Sequence, residues 1–186
     1  KYCSTFDSTD EGNIGPIIDA LLESYTQQTV VLCPALPVNG RTVRNGHLYV
    51  NGVPLDETHM RHHPLTPMRS SYIPMLMGKQ GQYECILLAG EEIAGDTTAL
   101  RAVVAARTAG HRHAYLVPDC VTESDAAHIA RQFHGDRLLT GGSGVLTALC
   151  RYYGGTSGVP RTVHCPLTQP PKGRTLILAG SCSAAT

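Results

Sequence analysis

The chain has 186 residues, enough for one domain with a substantial hydrophobic core. It carries 15 Lys and Arg residues against 15 Asp and Glu residues, and it has no Trp. This balance excludes the broad basic surface that binds nucleic acid or an anionic membrane, and few aromatic rings remain for stacking on bases. No apolar run approaches the roughly 18 residues of a membrane span, and we expect no signal peptide.

The first half of the chain alternates short apolar runs with a helical period. Tyr2–Phe6 predicts a strand, and Thr29–Cys33 predicts a second, buried strand. Between them, apolar residues recur at the spacing of one helix face, and Pro16 suits the first turn of that helix. These apolar residues are Ile14, Ile17, Ile18, Leu21, Leu22 and Tyr25. Asn45-Gly46 within RTVRNGHLYV predicts a β-hairpin excursion from the main sheet near residues 41–55.

The second half continues the alternation of strands and helices. His59–Ser71 is polar and broken by prolines, which predicts an ordered loop. Strands are predicted at Cys85–Ala89, Ala114–Val117, Leu138–Thr140 and Leu176–Ala179. Helices are predicted at Thr97–Thr108, at Glu123–Phe133 and after Gly144, where Val145, Leu146, Leu149 and Tyr153 form an apolar face. This pattern predicts an α/β fold with a mainly parallel sheet and helices on both faces.

Composition along the chain predicts where the domain ends. Residues 154–174 are rich in Gly, Pro and Thr, which is typical of a linker. We therefore expect a domain over residues 1–153, a linker over 154–174 and the start of a second domain over 175–186.

The seven cysteines are scattered and include no C-x-x-C pair. Several lie inside apolar runs such as VVLCPA and YECILLA, whereas a disulfide framework or zinc knuckle would show tighter pairing. We therefore expect reduced core residues in a cytoplasmic protein. The seven are Cys3, Cys33, Cys85, Cys120, Cys150, Cys165 and Cys182.

Three junctions after predicted strands carry small or polar residues. They are Asp7-Ser8-Thr9, the stretch from Gly141 to Gly144, and Gly180-Ser181-Cys182-Ser183. In parallel sheets, ligands bind beyond the carboxyl ends of the strands, where loops lead into helix N-termini. Glycines allow backbone N–H groups to approach an anion closely, so the predicted ligand is a small carboxylate or phosphate. Neither a P-loop nor a Rossmann glycine fingerprint is present.

Several further side chains have two interpretations from sequence alone. His59, His62 and His63 invite a metal site, but adjacent histidines on a proline-broken loop hold ligands poorly, so we expect anion-pocket or surface residues instead. Arg41 either clamps a carboxylate or is an exposed hairpin arginine. Lys1 and Asp7 would share one face of the first strand. Asp7 is then either a helix cap or a group that binds substrate hydroxyls.

Six ordered motifs resemble those of one enzyme family. KYCSTFDST-x-x-GNIGP, CPALPVNGRTV, GHLYV, HHPLTPM, TGGSG and GSCS are similar to the four-carbon acid sugar kinases, most closely the 3-oxo-tetronate kinases. The resemblance implies ATP-dependent phosphorylation of a four-carbon sugar acid, such as 3-oxo-tetronate, threonate or erythronate, at its terminal hydroxyl. It also implies Mg²⁺, an N-terminal sugar-acid-binding domain and a C-terminal nucleotide-binding domain. A homodimer is a possible assembly.

The resemblance carries over site residues position by position. On the sugar-acid side these are Asp7, the candidate catalytic carboxylate, and Lys1, Ser8, Thr9, Arg41, His63, Gly141, Gly142, Ser143 and Gly144. On the nucleotide side they are Ser181 and Ser183. The family's preceding strand and its acidic motif are not in this sequence, so we expect that the chain starts inside the first domain and is inactive by itself.

Three other functions remain open from the sequence. The first is a non-catalytic sugar-acid-binding module. The second is a metal-dependent hydrolase that uses His59, His62 and His63. The third is a generic nucleotide-binding α/β protein.

Overall fold

The structure, a computed structural model, describes residues 1–156 and has an α/β fold. Its strands are β1 (Thr29–Cys33), β2 (Arg41–Arg44), β3 (His47–Val50), β4 (Val53–Pro54), β5 (Glu84–Leu88), β6 (Ala114–Pro118) and β7 (Thr140–Gly141). Its helices are α1 (Gly15–Tyr25), α2 (Ile73–Gly78), α3 (Gly90–Ala94), α4 (Thr97–Arg107), α5 (Glu123–Phe133) and α6 (Ser143–Thr156). The predicted fold class is confirmed.

The main sheet is parallel and has the order β5-β6-β1-β7. The central strands β1 and β6 are rich in β-branched and apolar residues and are almost wholly buried, as expected of a parallel sheet covered by helices. Thr29 of β1 pairs with Ala114 of β6, and Leu32 of β1 pairs with Thr140 of β7. The carboxyl end of β1 therefore lies between the carboxyl end of β6 on one side and β7 on the other.

The hairpin excursion forms a separate antiparallel sheet of β2, β3 and β4. Its turn places Asn45 at φ 49° and Gly46 at φ 75°, the left-handed pair that a two-residue hairpin requires. Val43 and Cys120 exchange two backbone hydrogen bonds of 2.9 and 2.8 Å. These bonds fasten β2 to the residue pair that follows β6.

Helix α1 buries a narrower face than its sequence pattern predicts. Ile14, Ile18 and Leu22 are buried, but Ile17 is 59% exposed and Tyr25 is 39% exposed. Asp19 is buried instead, because its carboxylate accepts hydrogen bonds from the Tyr115 hydroxyl and from the Gln82 backbone N–H. A carboxylate with two such donors can replace an apolar side chain in the core.

The prediction of a first strand at Tyr2–Phe6 is wrong. Ser4 and Thr5 form a turn, closed by a 3.1 Å hydrogen bond from the Phe6 N–H to the Cys3 carbonyl. Phe6 has φ 54° and is fully buried, with its ring edge-on to Tyr2. Because this segment is not extended, Lys1 and Asp7 do not share a strand face.

Other elements differ in extent. The sequence pattern missed α2 and α3, and the predicted loop from His59 contains a 3₁₀ helix, His59–His62. Helix α6 continues to Thr156, so residues 154–156 are helical where a linker was predicted. On this helix Leu146 and Tyr153 are exposed, while Val145 and Ala148 are buried. The predicted strand Leu176–Ala179 lies outside the described residues.

The cysteines of residues 1–156 are all free, but they are not all core residues. Cys33 and Cys120 are buried and Cys85 is partly buried, as expected, whereas Cys3 and Cys150 are exposed. The part of the chain that the structure describes contains no helix long and apolar enough to cross a membrane.

Candidate functional site

A cavity of about 340 Å³ lies between the loop that precedes α1 and the segment that leads into and through α2. Two predicted site residues, Ser8 and Thr9, form part of its wall. The other lining residues are Asp10, Glu11, Pro67, Met68, Arg69, Ser70, Met75, Leu76, Lys79 and Gln80. We call this space the Ser8 cavity. It is large enough for a small polar metabolite.

The charges around the Ser8 cavity are unequally available to a ligand. Lys79 Nζ lies 3.1 and 3.0 Å from the two carboxylate oxygens of Asp10, so its charge is already paired. Arg69 is exposed and forms no ion pair with any residue in the described part of the chain. Arg69 is therefore the cation of this cavity that is best placed to bind a carboxylate, and guanidinium groups bind carboxylates through two parallel hydrogen bonds. Arg69 was not among the predicted site residues, although this arginine directly follows HHPLTPM.

Gln80 joins the two walls of the Ser8 cavity. Its side-chain Oε1 accepts hydrogen bonds from the Ser8 hydroxyl at 3.1 Å, from the Ile14 N–H at 3.1 Å and from the Gly15 N–H at 2.9 Å. The last two are donors at the N-terminal end of α1, which has no cap from its own preceding residue. The sequence offered no signal for this contact, because Gln80 lies far along the chain from α1.

Asp7 adjoins the Ser8 cavity without lining it. The Asp7 side chain is half-buried, and its Oδ1 accepts a 2.6 Å hydrogen bond from Thr5 Oγ1. The backbone carbonyl of Asp7 accepts a bond from Asn13 Nδ2 at 3.3 Å. Lys1 is exposed at the start of the chain. Thr5 and Asn13 thus hold Asp7 in one position next to Ser8.

The glycine stretch after β7 packs directly against the chain that leaves β1. Gly142 donates its N–H to the Cys33 carbonyl at 3.0 Å, so this N–H is already satisfied. A Cβ at Gly142 would lie 2.5 Å from the Pro34 carbonyl oxygen, and a Cβ at Gly144 would lie 2.4 Å from that of Ala35. Close backbone packing therefore accounts for both glycines. Ser143 begins α6.

Arg41 lies elsewhere, in a second cavity of about 450 Å³ that it lines together with Asn51, Glu57, Thr58 and His59. The two cavities share no lining residue. The Arg41 Nη1 donates to the Asn39 carbonyl, and its Nε is buried without a hydrogen-bond partner. The structure thus brings Ser8 and Thr9 together but places Arg41 apart from them.

His63 lines neither of these two cavities. Its Nδ1 accepts a 3.0 Å hydrogen bond from the Thr66 N–H and lies 2.9 Å from the Thr66 hydroxyl, which organises the tight turn after the 3₁₀ helix. His59 and His62 lie on that helix and are exposed. Within residues 1–156, no three His, Cys, Asp or Glu side chains are grouped closely enough to hold a metal ion. The metal-dependent hydrolase therefore lacks its ligand set. Ser181 and Ser183 lie outside the described residues.

A family model described as the sugar-binding N-terminal domain matches residues 1–149. The chain belongs to this family. As a sugar-binding N-terminal domain, it is 43% identical over 187 residues to a 3-oxo-tetronate kinase of Brucella melitensis, covering all of this chain and 42% of that protein. It is 40% identical over 187 residues to the Escherichia coli 3-oxo-tetronate kinase, again along its whole length and over 47% of that protein. The chain thus spans less than half the length of these curated relatives.

Solved structures share the fold of this sugar-binding N-terminal domain. A Haemophilus influenzae protein of the DUF1537 family has TM-score 0.79 and 39% identity, over 99% of this chain and 43% of that one. A Salmonella typhimurium protein described as a putative tRNA synthase has TM-score 0.77 and 43% identity, over 82% of this chain and 37% of that one. A Bordetella bronchiseptica DUF1537 protein, a domain-swapped dimer with bound citrate, has TM-score 0.65 and 35% identity, over 84% and 37%.

Proposed function

We propose that this chain is the sugar-acid-binding part of an ATP-dependent kinase that phosphorylates a four-carbon sugar acid at its terminal hydroxyl. The acid is 3-oxo-tetronate or the related threonate or erythronate. The observation that carries the proposal is the match of the whole chain to 3-oxo-tetronate kinases, at 43% identity for the Brucella melitensis protein. The family match over residues 1–149 independently favours sugar binding by this part.

The Ser8 cavity is the proposed binding place of the acid. Arg69 binds the carboxylate, because it is the lining cation without an ionic partner among the described residues. Ser8 and Thr9 contact hydroxyl groups of the acid. A carboxylate ligand agrees in class with the citrate bound by the Bordetella bronchiseptica relative. Lys1, Arg41, His63 and the stretch Gly141–Gly144 stay candidate substrate contacts from the family resemblance.

Asp7 is the proposed catalytic carboxylate. Phosphoryl transfer needs the attacking hydroxyl to be oriented, and a carboxylate that accepts its proton serves this purpose. Asp7 is adjacent in sequence to Ser8, and the 2.6 Å bond from Thr5 limits its motion. A carboxylate in this position also suits a second role, in which Asp7 binds a substrate hydroxyl without accepting its proton.

The nucleotide and its metal are assigned to the rest of the full-length protein. ATP is the second substrate, and Mg²⁺ neutralises charge on the transferred phosphoryl group. Ser181 and Ser183 are the proposed nucleotide contacts in this chain. Because ATP is an intracellular metabolite, we also propose a cytoplasmic location. The neutral net charge gives no support to a tRNA-related activity, the description of the Salmonella typhimurium relative.

A screen of the full-length protein tests this proposal. Purified protein is incubated with ATP, Mg²⁺ and, in turn, the erythronate, threonate and 3-oxo-tetronate stereoisomers, and ADP release is coupled to NADH oxidation. We expect turnover with at least one of these acids and no turnover with ATP alone. Binding of an acid by calorimetry without any ADP release would favour the non-catalytic sugar-acid-binding module instead.

A further inference from the structure

The contacts of Gln80 determine which way the Ser8 hydroxyl points. The backbone N–H groups of Ile14 and Gly15 can only donate hydrogen bonds, so the side-chain atom that faces both of them must be the amide oxygen. That oxygen has no hydrogen. The Ser8 hydroxyl lies 3.1 Å from this oxygen and 3.4 Å from the Thr9 carbonyl oxygen. Both are acceptors, so the single proton of Ser8 is engaged by the protein, and the shorter contact favours donation to Gln80.

A hydroxyl whose proton is engaged can only accept further hydrogen bonds. Ser8 is 8% exposed and lines the cavity, so the surface it presents there consists of the lone pairs of its oxygen. Such an oxygen binds a ligand hydroxyl, which can donate, and is unfavourable for a carboxylate, which can only accept. The wall around Ser8 is thus chemically different from the wall around Arg69.

Gln80 also occupies the helix end that would otherwise attract an anion. The first N–H groups of a helix, together with its dipole, form a common binding site for carboxylates and phosphates. In α1, a helix of 11 residues, the N–H groups of Ile14 and Gly15 are bonded to Gln80 Oε1 instead. The negative charge of a ligand in the cavity is therefore left to Arg69.

Two glycines make room for Gln80 in this position. A Cβ at Gly12 would lie 2.5 Å from the Gln80 Cβ, and a Cβ at Gly15 would lie 2.7 Å from the Gln80 carbonyl carbon. Both separations are far below van der Waals contact. The loop before α1 therefore packs closely against the side chain of Gln80 at Gly12 and against its backbone at Gly15.

We propose that Gln80 is a positioning residue that orients the sugar acid, by turning Ser8 into an acceptor for a substrate hydroxyl and by excluding the carboxylate from the N-terminus of α1. This inference rests on the proposed function. The acid then lies with its carboxylate at Arg69 and its hydroxyl end at Ser8, next to Asp7.

The substitution Gln80→Glu tests, in the full-length protein, whether the acid binds beside Gln80. A carboxylate has the same shape and still accepts all three hydrogen bonds, but it loses the long 3.5 Å bond that Gln80 Nε2 donates to the Leu76 carbonyl. Its charge favours the N-terminus of α1 and offsets this loss, so the melting temperature should stay close to that of the parent. Its charge also lies on the wall of an anion-binding cavity, so KM for the sugar acid should rise about tenfold at low salt. This rise should shrink with added salt, while kcat and the KM for ATP change by no more than about twofold.

Gln82→Glu is the matched control. Gln82 is exposed and does not line the cavity, so the same change of charge there should leave KM for the acid unaltered. A third variant, Gln80→Met, removes the nearer acceptor, so the Ser8 proton is held only by the 3.4 Å contact to the Thr9 carbonyl and becomes available to a ligand. In this variant the preference for the tetronate over its analogue without the hydroxyl that Ser8 binds should become weaker, whatever its stability.

An unchanged preference in Gln80→Met would overturn the proposal and leave Gln80 with a packing role, and parental KM for the acid in Gln80→Glu would place the acid outside the Ser8 cavity. The failure of the kinase function looks different, because calorimetry measures binding without ATP. If the parent binds a tetronate without turnover and Gln80→Met weakens the preference for that tetronate over its deoxy analogue, the kinase assignment fails and the role of Gln80 stands. A parent that binds no tetronate would overturn both.

Discussion

Tyr2 donates its backbone N–H to the carbonyl oxygen of Gly141 at 3.1 Å, and this bond joins the first residues of the chain to the free edge of β7. The Tyr2 hydroxyl also lies 3.4 Å from Thr140 Oγ1. Burial raises the pKa of the Tyr2 phenol well above its ordinary value, so this ring is a structural contact and stays neutral. The first residues of the chain therefore pack beside Thr140 and Gly141, where the glycine stretch begins.

We expect Asp7→Asn to lower kcat/KM of the full-length kinase by at least about 100-fold, the usual effect of removing a positioned proton acceptor. The amide still accepts the hydrogen bond from Thr5, so the unfolding transition should stay close to that of the parent. The measurement is ADP release with the acid identified in the screen. Asp136→Asn is the control, because Asp136 pairs with Arg101 and lines neither cavity. If Asp7→Asn keeps near-parental kcat/KM, Asp7 is not the catalytic carboxylate.

Arg69→Gln and Arg41→Gln decide which guanidinium binds the carboxylate. Since Arg69 lines the Ser8 cavity and Arg41 does not, we expect Arg69→Gln to raise KM for the acid by roughly 10- to 100-fold, the cost of a charged hydrogen-bonded pair. The KM for ATP should change little, because a carboxylate clamp contacts only one substrate. A larger effect from Arg41→Gln would move the acid to the cavity around Arg41.

Gly15→Ala should destabilise the fold by about 1–3 kcal/mol, because its Cβ would overlap the backbone of Gln80 and Gly81. Gly78→Ala is a suitable control. A Cβ there meets nothing within 4 Å, and alanine is a better helix former, so α2 should gain about 0.5–1 kcal/mol. Urea unfolding monitored by circular dichroism measures both changes. Equal stability of the two variants would contradict the close packing of Gln80 against α1.

Cysteine labelling should follow burial. At neutral pH, maleimide should modify the exposed Cys3 and Cys150 first, with Cys33, Cys85 and Cys120 protected, as peptide mass spectrometry would show. Burial raises the pKa of the Cys85 thiol from 9.0 to about 12. Because this pKa is higher in the folded protein, the thiol contributes stability that is complete below pH 9 and is lost as the pH rises towards 12. Rapid labelling of Cys85 in the native protein at pH 8 would contradict this.

The regular elements of the fold follow closely from the sequence. Strand β1 and helix α5 have the predicted boundaries, because each combines a strong period with clear end signals such as the Thr122 capping box. The Asn45-Gly46 turn was equally clear. Helices α2 and α3 have six and five residues, which is too short for a helical period to be recognised.

The site was less predictable because long-range contacts determine it. The positions of Gln80 and of the buried Asp19 depend on partners distant in sequence, namely the loop at Ser8 and the Tyr115 hydroxyl. Local patterns carry no information about such partners. The glycines at 141, 142 and 144 were predicted as an anion-binding loop, yet the approach of the β1 exit already requires Gly142 and Gly144. Nothing in the sequence distinguished Arg69 from the other Lys and Arg residues of the surface.

The attachment of β2 to Cys120 has a consequence for the order of assembly during synthesis. The hairpin of β2 and β3 leaves the ribosome well before Cys120, the residue with which Val43 exchanges its two backbone hydrogen bonds. The β2 edge of the nascent hairpin therefore stays unpaired until β6 has been translated and has paired with β1. We expect this excursion to gain full protection from hydrogen exchange only after β6 has formed, although it is synthesised long before β6.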